Sequence, residues 1–316
     1  MKKSRAIIKG LILGLLILAA MVCSAFYMLR CSYSSNYVQN QDMETSYEYL
    51  SQASDEMVSG TYNLLLIGVD RRTDDWYGNS DAMILITVNH NVKKIFMTSF
   101  MRDLYADIPG HGVMKLNAAH AIGGGSLLVE TLESNYDVVI DNYARVDFES
   151  MIGIVDLLGG VDIDVSEAEE KVDYDYINSM CQSQEKNAED YLITTSGMMH
   201  LDGMQAVAYS RIRYVGNSDY ERTSRQREVL TELFGTIKEM SIEELTKLIN
   251  EAMPFVTHNV DELTLLKLIA KSSDLMSYEL VEERIPYDGL YTSKNEMLIP
   301  DFNATIERLH ETIYAE

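Results

Sequence analysis

The chain has 316 residues, with 26 lysines and arginines against 49 aspartates and glutamates, and a formal net charge of −23. Such acidity excludes the binding of nucleic acid or anionic lipid over the whole surface, so an anionic ligand requires a local basic pocket. The three cysteines, Cys23, Cys31 and Cys181, provide neither a disulfide framework nor a CxxC metal site.

The first 60 residues predict a membrane anchor followed by a stalk. Residues 10–29 form a stretch of 20 uncharged residues. At about 1.5 Å rise per residue this gives roughly 30 Å of helix, the thickness of a bilayer core. Residues 1–9 carry basic side chains and no acid, so the positive-inside rule predicts a cytoplasmic tail and an extracellular remainder at the cell membrane. A cleaved signal peptide is the alternative, although its apolar region is usually about 7–15 residues long. Residues 30–60 are polar and predict the stalk.

Residues 61–316 predict one extracellular α/β domain in three layers, an α-β-α arrangement around a central mixed sheet. The opening run YNLLLIGVD, residues 62–70, is typical of a strand that is buried on both faces. Strands at residues 80–89 and 93–101 are separated by the turn-like pair His90-Asn91, which favours antiparallel pairing. The next predicted elements are a helix at 126–134, a strand at 138–146, a helix at 148–158 closed by two glycines, and a strand at 161–165.

The second half of the domain is predicted to be mainly helical. Residues 173–195 are polar and irregular, which predicts an inserted loop. Asp202 is in position to cap a helix through about residue 211, and Asp219 a longer one through about residue 240. Helices at residues 242–251, 261–273 and 303–315 follow, together with a strand at 280–286.

Acidic residues stand where the first strands begin and end. Asp70 ends the first strand and Asp81 begins the second, so antiparallel pairing would bring the two carboxylates together. Arg102 and Asp103 end the third strand and would lie at the same edge of the sheet. Two carboxylates beside phosphate oxygens are a donor set that suits Mg²⁺. These residues predict a phosphate and magnesium site, although a terminal aspartate is also a common turn residue or helix cap.

Five arginines lie within 17 residues of this otherwise acidic chain: Arg211, Arg213, Arg222, Arg225 and Arg227. Arginine presents a planar fork of donors that matches pairs of phosphate oxygens, and it stays charged at any relevant pH. The cluster therefore predicts a site for a phosphorylated ligand. The alternative is a salt-bridged helix surface, because such ion pairs are common and individually weak.

Six sequence blocks in a fixed order add a resemblance to a known family. They are NLLLIGVD, SDAMILITV, SFMRDLY, KLNAAHAIGGG, VDFESMIGIVDLLGGV and LDGMQAVAYSRIR…DYERTSRQREVL, and they span roughly residues 62–230. Together they resemble the LytR-CpsA-Psr family of cell-wall assembly proteins. The resemblance implies a membrane-anchored, extracellular phosphotransferase that moves a glycopolymer, such as capsule or teichoic acid, from a polyprenyl pyrophosphate carrier onto peptidoglycan with Mg²⁺.

The same resemblance implies roles for individual residues. Asp70 and Asp81 would ligate the metal, and the arginines would grip the pyrophosphate. Residues implied to take part in the reaction are Arg102, Asp103, Arg211, Arg213 and Asp219, and residues implied to bind substrate are Arg72, Lys115, Arg222 and Gln226. Either Asp103 or Asp219 would accept the proton of the attacking sugar hydroxyl.

The chain also departs from the family pattern. The family usually has Arg-Ser-Asp where residues 79–81 read Asn-Ser-Asp, so one expected phosphate-binding arginine is missing. Arg71 and Arg72 are the candidates to replace it. The family's Ile-Pro-Arg-Asp is Phe-Met-Arg-Asp at residues 100–103. The missing arginine favours the alternative of a non-catalytic polyprenyl-phosphate-binding wall regulator or scaffold, and a pyrophosphate hydrolase is a second alternative.

A lipid carrier would also require an apolar slot. The Met- and Leu-rich segments FMTSFM, residues 96–101, and FESMIGIVDLL, residues 148–158, are candidates to line one. The alternative is that both segments belong to the ordinary hydrophobic core.

Overall fold

The computed structural model describes residues 60–70 and 76–316. The predicted cytoplasmic tail, the anchor at residues 10–29 and nearly all of the stalk lie outside the described residues. Within the described part of the chain, no helix combines the length and the apolar character that crossing a membrane demands.

The described residues form twelve strands and nine α-helices, with short 3-10 turns at Ala188–Asp190 and Met253–Phe255. The strands are β1 (Thr61–Asp70), β2 (Asn79–Asn89), β3 (Lys94–Phe100), β4 (Tyr105–Ile108), β5 (Gly112–Lys115), β6 (Asn142–Asp147), β7 (Val161–Val165), β8 (Gly197–Leu201), β9 (Thr257–His258), β10 (Glu279–Ile285), β11 (Tyr291–Lys294) and β12 (Met297–Pro300). The helices are α1 (Asn117–Tyr136), α2 (Phe148–Leu157), α3 (Glu167–Glu170), α4 (Asp173–Ser183), α5 (Gly203–Arg211), α6 (Asp219–Lys238), α7 (Ile242–Ala252), α8 (Glu262–Leu275) and α9 (Phe302–Ile313).

The central sheet has six strands in the order β10-β3-β2-β1-β6-β9, and it is mixed, as predicted. Strands β1, β2 and β3 are antiparallel neighbours, which confirms their predicted pairing. Strand β6 runs parallel to β1, and β10 runs parallel to β3. The end of β1, the start of β2 and the residues after β3 therefore meet at one edge of the sheet.

Alternate residues of the central strands face different helices, because successive side chains of a strand point to opposite faces. On one face, Leu65, Ile67 and Leu85 are fully buried in a cluster with residues of α1 and α9. On the other face, Leu66 and Ile84 line a cavity that α2 and α6 close. Helices thus flank both faces of the sheet, which confirms the α/β class.

A second apolar cluster packs the antiparallel strand pair β7–β8 against α5 and α6. Val161, Ile163 and Val165 alternate with exposed aspartates along β7, which directs one apolar face of the pair towards the helices. Asp202 caps α5 through a capping box with Gln205, as predicted. This packing places the C-terminal end of α5 beside the start of α6.

The prediction of an inserted loop at residues 173–195 is wrong, because the segment contains α4. Ile177, Met180 and Cys181 are buried in a cluster with residues of α2 and α5. The carboxylate of Asp173 accepts the backbone N–H of Ile193 at 2.9 Å and closes the segment. The apolar residues of α4 have helical spacing, but they are sparse among polar ones, and the tertiary contact supplies the stability that the local pattern lacks.

Two predicted boundaries also differ from the structure. Helix α1 is longer than predicted and has non-helical backbone at Gly123 and Gly124. Gly124 has a φ of 68° and lies against the ring of Tyr77, where a side chain would not fit easily. The strand predicted at residues 138–146 begins only at Asn142, because the side chain of Asp141 accepts the N–H of Asn63 at 2.7 Å before the ladder starts.

Candidate functional site

Asp70 and Asp81 both lie where β1 ends and β2 begins. Asp70 pairs with Asn79 in the β1–β2 ladder, where a register shift lies between Gly68 and Val69. Asp70 and Asp81 both line the cavity between the sheet and the helices. The side chain of Asp81 is only 16% exposed, so charges near it interact more strongly than they would in water.

Asp81 is surrounded by guanidinium groups from three separate segments. Its Oδ1 atom lies 2.9 Å from Nη1 of Arg102, which follows β3. The same oxygen lies 3.6 Å from Nη1 of Arg222 on α6 and 3.8 Å from Nη2 of Arg213, which follows α5. The predicted convergence of these arginines on one place is therefore present in the structure.

Asp219 is the second carboxylate of this cluster. It lies 3.0 Å from Arg222 and 3.6 Å from Arg102. Its distance from Arg213 is 3.8 Å. The prediction that Asp219 caps α6 is wrong: the N-cap is Ser218, which makes no side-chain cap bond, and the carboxylate of Asp219 faces the arginines instead. With three guanidinium groups on two carboxylates, the cluster keeps an excess positive charge.

Burial shifts the pKa values of the cluster. It lowers the pKa of Arg222 to about 10, against the opposing attraction of Asp219 and Asp81. Burial also opposes ionisation of Asp81, but the surrounding arginines outweigh it and hold the pKa of Asp81 below its ordinary value. Asp81 therefore stays ionised, and Arg222 keeps its charge at neutral pH.

Two donors of the cluster have no acceptor. Nε of Arg102 and Nε of Arg222 are buried and make no hydrogen bond within the described part of the chain. Buried N–H groups almost always have a partner in folded proteins. Together with the excess positive charge, these donors indicate that the site accepts an anionic ligand with several oxygen atoms.

Lys115 and Asp103 stand beside the cluster and are not among the described residues that line the cavity. Nζ of Lys115 lies 3.0 Å from Asp103, whose carboxylate is 3.9 Å from Nε of Arg102. The backbone N–H of Asn117 donates to the carbonyl of Arg102 at 3.2 Å. The sequence block that contains Lys115 and Asn117 thus supports the position of Arg102.

The five clustered arginines divide between the two interpretations of the sequence. Arg211, Arg213 and Arg222 line the cavity, and Arg211 lies over the ring of Phe148 at 4.3 Å. Arg225 is paired with Glu169 at 2.6 Å, and Arg227 with Glu282 at 3.0 Å. The phosphate-site interpretation therefore fits three of the arginines, and the salt-bridge interpretation fits the other two.

Of the remaining residues considered in the sequence analysis, two line the cavity and two lie outside the described residues. Gln226 lines the cavity, as does Asn79 at the position where the family usually has arginine. Arg72, and Arg71 beside it, lie outside the described residues.

The cavity has a polar end and an apolar interior, and its volume is about 830 Å³. The polar end is formed by Asp70, Asp81, Arg102, Arg211, Arg213 and Arg222, and aliphatic or aromatic side chains form the interior. Examples of the latter are Ile84, Ile86, Met97, Ile154, Leu233 and Phe234. A cavity of this size accommodates a long apolar ligand with a charged head.

The two Met- and Leu-rich segments contribute some residues to the cavity and others to the hydrophobic core, so both interpretations of these segments hold. In the first segment Met97 lines the cavity, whereas Phe96 and Phe100 belong to the core on the other face of the sheet. In the second segment, Ile154 lines the cavity and Val155 belongs to the core beside the strand pair β7–β8. The periodicity of the strand and the helix produces this division.

The residues at the polar end fit a magnesium ion that is shared with phosphate. Mg²⁺ usually binds through one or two carboxylates and completes its shell with phosphate oxygens and water. Asp70 and Asp81 are two such carboxylates on one cavity wall. No group of three histidine, cysteine, aspartate or glutamate side chains in the described residues has metal-binding geometry, so the phosphate would have to supply ligands.

Sequence reasoning missed several aromatic residues of the cavity, among them Trp76 and Tyr214. Trp76 is 40% exposed and Tyr214 is 86% exposed. The hydroxyl of Tyr176, another lining residue, accepts the backbone N–H of Arg213 at 2.9 Å. The position of Tyr214 directly after Arg213 was the available signal, but an exposed aromatic residue beside an arginine is too common to be specific.

Comparisons with known proteins identify a matching family model, similar sequences and similar solved structures. The LytR_cpsA_psr family model matches residues 26–312. The sequence is 32% identical over 255 residues to biofilm regulatory protein A of Streptococcus mutans, covering 74% of this chain and 60% of that protein. It is 31% identical over 246 residues to the polyisoprenyl-teichoic acid–peptidoglycan teichoic acid transferase TagT of Bacillus subtilis, covering 76% of this chain and 72% of TagT.

The fold is similar to that of a solved structure of TagT bound to LI-WTA. The TM-score is 0.63 and the sequence identity 25%, with 81% of this chain and 90% of that chain covered.

Proposed function

The chain belongs to the LytR_cpsA_psr family, and from this membership we propose that it transfers a glycopolymer from a polyisoprenyl pyrophosphate carrier to peptidoglycan. One observation carries the proposal. Arg102, Arg213 and Arg222 converge at the polar end of a cavity whose interior is apolar. A lipid-linked diphosphate matches such a site, because its diphosphate suits the polar end and its lipid suits the apolar interior.

The diphosphate head would lie at the arginine cluster. Charge-assisted hydrogen bonds from guanidinium groups to phosphate are the strong ones in proteins. Arg102 and Arg213, whose side chains are 21% and 33% exposed, present N–H donors for its oxygens. Because the arginines are already held by Asp81 and Asp219, they need little rearrangement when negative charge develops on the leaving lipid phosphate.

The chemistry requires more positioning than covalent help from the protein. In phosphoryl transfer, catalysis comes mainly from alignment and from stabilisation of charge on the phosphate oxygens. A sugar hydroxyl of peptidoglycan attacks the phosphate that carries the glycopolymer, the bond from this phosphate to the lipid phosphate breaks, and the hydroxyl proton ends on the released lipid phosphate. Asp219, in contact with three arginines, holds their side chains in place for this step.

We assign Mg²⁺ to Asp70 and Asp81, the two carboxylates on the cavity wall. A bound ion would neutralise charge on the phosphates. The arginines contact Oδ1 of Asp81, with Arg102 at 2.9 Å.

We also propose that residues 10–29 anchor the protein and that the domain lies outside the cell. The carrier lipid is a membrane component, and peptidoglycan is extracellular. An anchor followed by a stalk keeps the cavity near the surface from which the diphosphate head emerges. The charge distribution of residues 1–30 supports this orientation.

Reconstitution with a lipid-linked glycan tests the function. We expect the protein, incubated with a polyisoprenyl pyrophosphate-linked glycan, peptidoglycan and Mg²⁺, to form a phosphodiester-linked product and to release polyisoprenyl phosphate. The measurement is chromatography of labelled glycan. Binding without product would instead identify a regulator or scaffold. Release of the phosphate-capped glycan when no acceptor is added would identify a hydrolase.

The metal assignment predicts a specific effect of Asp81→Asn. We expect the Mg²⁺ concentration for half-maximal transfer to rise about 10- to 100-fold, as is common when a metal site is impaired. Asp219→Asn is the matched control, since Asp219 contacts the same arginines but is not assigned to the metal. It should lower the rate and leave the Mg²⁺ dependence unchanged. Equal shifts in both variants would contradict the assignment.

A further inference from the structure

We propose that Glu169 and Arg225 form a positioning pair that fixes residues 212–215 and thereby directs Arg213 towards the diphosphate. Neither residue lines the cavity, and neither would touch the substrate. The inference rests on the proposed function in so far as it names the diphosphate as the group that Arg213 meets. The geometric part, that this pair determines the conformation of residues 212–215, is independent of the ligand.

Arg225 holds residues 212–215 at both ends. Its Nη1 atom donates to the carbonyl of Ile212 at 3.0 Å, and its Nη2 atom donates to the carbonyl of Val215 at 3.2 Å. Between these two carbonyls lie Arg213 and Tyr214, which both line the cavity. Arg225 is itself only 5% exposed. One buried guanidinium group therefore bridges the two ends of the dipeptide that faces the ligand.

Glu169 in turn holds Arg225. Its Oε1 atom accepts from Nε of Arg225 at 2.6 Å. Its Oε2 atom accepts from the backbone N–H of Ser166 at 2.9 Å and from the Ser166 hydroxyl at 2.6 Å. Burial opposes ionisation of Glu169, but the hydrogen bonds of Ser166 and the charge of Arg225 hold its pKa below the ordinary value. The carboxylate is thus charged, and both of its oxygens accept hydrogen bonds that fix its orientation.

Other contacts hold residues 212–215 through N–H groups and side chains: the N–H of Ile212 donates to the carbonyl of Tyr209 at 3.1 Å, and Val215 packs against the cluster that contains Ile212. Residues 212–215 lie between the end of α5 at Arg211 and the start of α6 at Asp219, where the backbone belongs to neither helix. Ile212 is fully buried, and the hydroxyl of Tyr176 accepts the N–H of Arg213 at 2.9 Å. Without Arg225 the carbonyls of Ile212 and Val215 would lose their donors, and unpaired backbone groups favour rearrangement.

The position of Arg213 in the cluster is sensitive to such a rearrangement. Its guanidinium group lies 3.8 Å from both Asp81 and Asp219, which is the outer range of an ion pair. Its side chain is 33% exposed, so these contacts are weaker constraints than those of the buried Arg222. The backbone of residues 212–215 therefore decides where the guanidinium group points.

The geometry also explains why an arginine is needed at residue 225. Three nitrogens of one planar group reach one carboxylate and two carbonyls at the same time. A lysine ammonium group is a compact charge on a flexible stem and does not reproduce this fork. Arg225→Lys therefore keeps the charge beside Glu169 and removes the bridge between the two carbonyls.

Arg225→Lys in the 316-residue protein is the first test. We expect the amides of residues 212–217 to exchange hydrogen about tenfold faster, because their local structure opens more readily. We also expect the Kd for a polyisoprenyl pyrophosphate in detergent to rise about tenfold, the effect of one weakened charge-assisted contact. Hydrogen-exchange mass spectrometry and a binding titration measure the two effects. Glu169→Gln, which keeps the shape of the side chain, should change both quantities in the same direction.

Arg227→Lys is the matched control. Arg227 lies on the same helix, and its partners are Glu282 at 3.0 Å and the hydroxyl of Ser99 at 3.1 Å, away from residues 212–215. We expect it to leave the exchange of residues 212–217 and the Kd at their original values. A change as large as that of Arg225→Lys would overturn the proposal, since it would reveal a general effect of weakening α6.

A double variant separates positioning from a merely structural role. If Arg225 acts through Arg213, Arg225→Lys should weaken binding in the original protein but not in the Arg213→Ala variant. A further tenfold loss in the Arg213→Ala variant would overturn the proposal, as would unchanged exchange of residues 212–217. If the original protein binds no polyisoprenyl pyrophosphate, the proposed function fails, and the exchange measurement still decides the positioning.

Discussion

Replacement of Arg102 by alanine is expected to slow transfer roughly 100- to 1,000-fold at saturating substrate, the usual cost of one donor that stabilises developing charge. Arg102 contacts both carboxylates of the cluster, Asp81 at 2.9 Å and Asp219 at 3.6 Å. Its buried Nε atom has no hydrogen-bond acceptor within the described residues. Nearby acidic residues outweigh burial and raise the pKa of Arg102 above its ordinary value, so it carries its charge at any working pH. The measurement is the rate of transfer from a lipid-linked glycan.

Arg102→Lys serves as the control for charge without the planar fork. We expect it to recover part of the rate but not all of it, because an ammonium group lacks the rigid fork of parallel N–H donors that a guanidinium group presents to two phosphate oxygens. The thermal unfolding midpoint of both variants shows whether the domain is intact. A rate in Arg102→Ala within threefold of the original protein, with the fold preserved, would remove Arg102 from the reaction.

The second large effect concerns stability at acid pH, where His120 and Glu133 on α1 act in opposite directions. His120 is fully buried, and its Nδ1 atom donates to the carbonyl of Gly78 at 2.8 Å. Burial lowers the pKa of His120 to about 4. Burial likewise raises the pKa of Glu133 to about 7, against the hydrogen bond that its carboxylate accepts from Ile140.

The sign of each contribution follows from proton linkage. Below pH 6.5 the unfolded chain protonates His120 and the folded protein does not, so this contribution to stability is lost as the pH falls towards 4. Between pH 7.5 and 5.0 the loss is about 2 kcal/mol. Between pH 7 and 4.5 Glu133 binds a proton in the folded protein but not in the unfolded chain. The free energy of unfolding therefore rises by about 2 kcal/mol as the pH falls through this window.

Because the two contributions nearly cancel, single variants should reveal them. We expect the free energy of unfolding of Glu133→Gln to fall by about 2 kcal/mol more than that of the original protein between pH 7.5 and 5.0. His120→Asn, which keeps a donor for the carbonyl of Gly78, should show the opposite difference. Urea denaturation at the two pH values measures both. If each variant has the same pH dependence as the original protein, neither group titrates as described.

Much of the fold could be predicted from the sequence where the pattern is local. The opening strand has an apolar run of the right length, and Asp202 stands at the start of α5 with Gln205 in the capping-box position. Helix α4 was missed because its buried face has few apolar residues and is stabilised by α5. The side chain of Asp219 was misassigned because nearby arginines compete with the helix N-terminus for its carboxylate.

The class of ligand, a phosphorylated molecule, could be predicted from the sequence alone. The sequence contains an arginine-rich segment in an acidic chain, aspartates at strand ends, and ordered blocks that resemble one family. These signals predicted Asp81, Arg102, Arg213, Arg222 and Asp219, which the structure brings into one cluster. Arginine and aspartate carry their chemistry in any context, so their kinds and order were enough to predict the class of ligand.

Which arginines face the ligand and which hold the fold depends on how the chain folds. Arg222 and Arg225 lie three residues apart on α6 and are both buried, yet one faces Asp81 and the other faces Glu169. The role of a charged side chain depends on where its counter-charges lie. Arg222 has one of them, Asp219, on α6 itself. Asp81 and Glu169 come from β2 and α3, which are distant along the chain and are brought to α6 by folding.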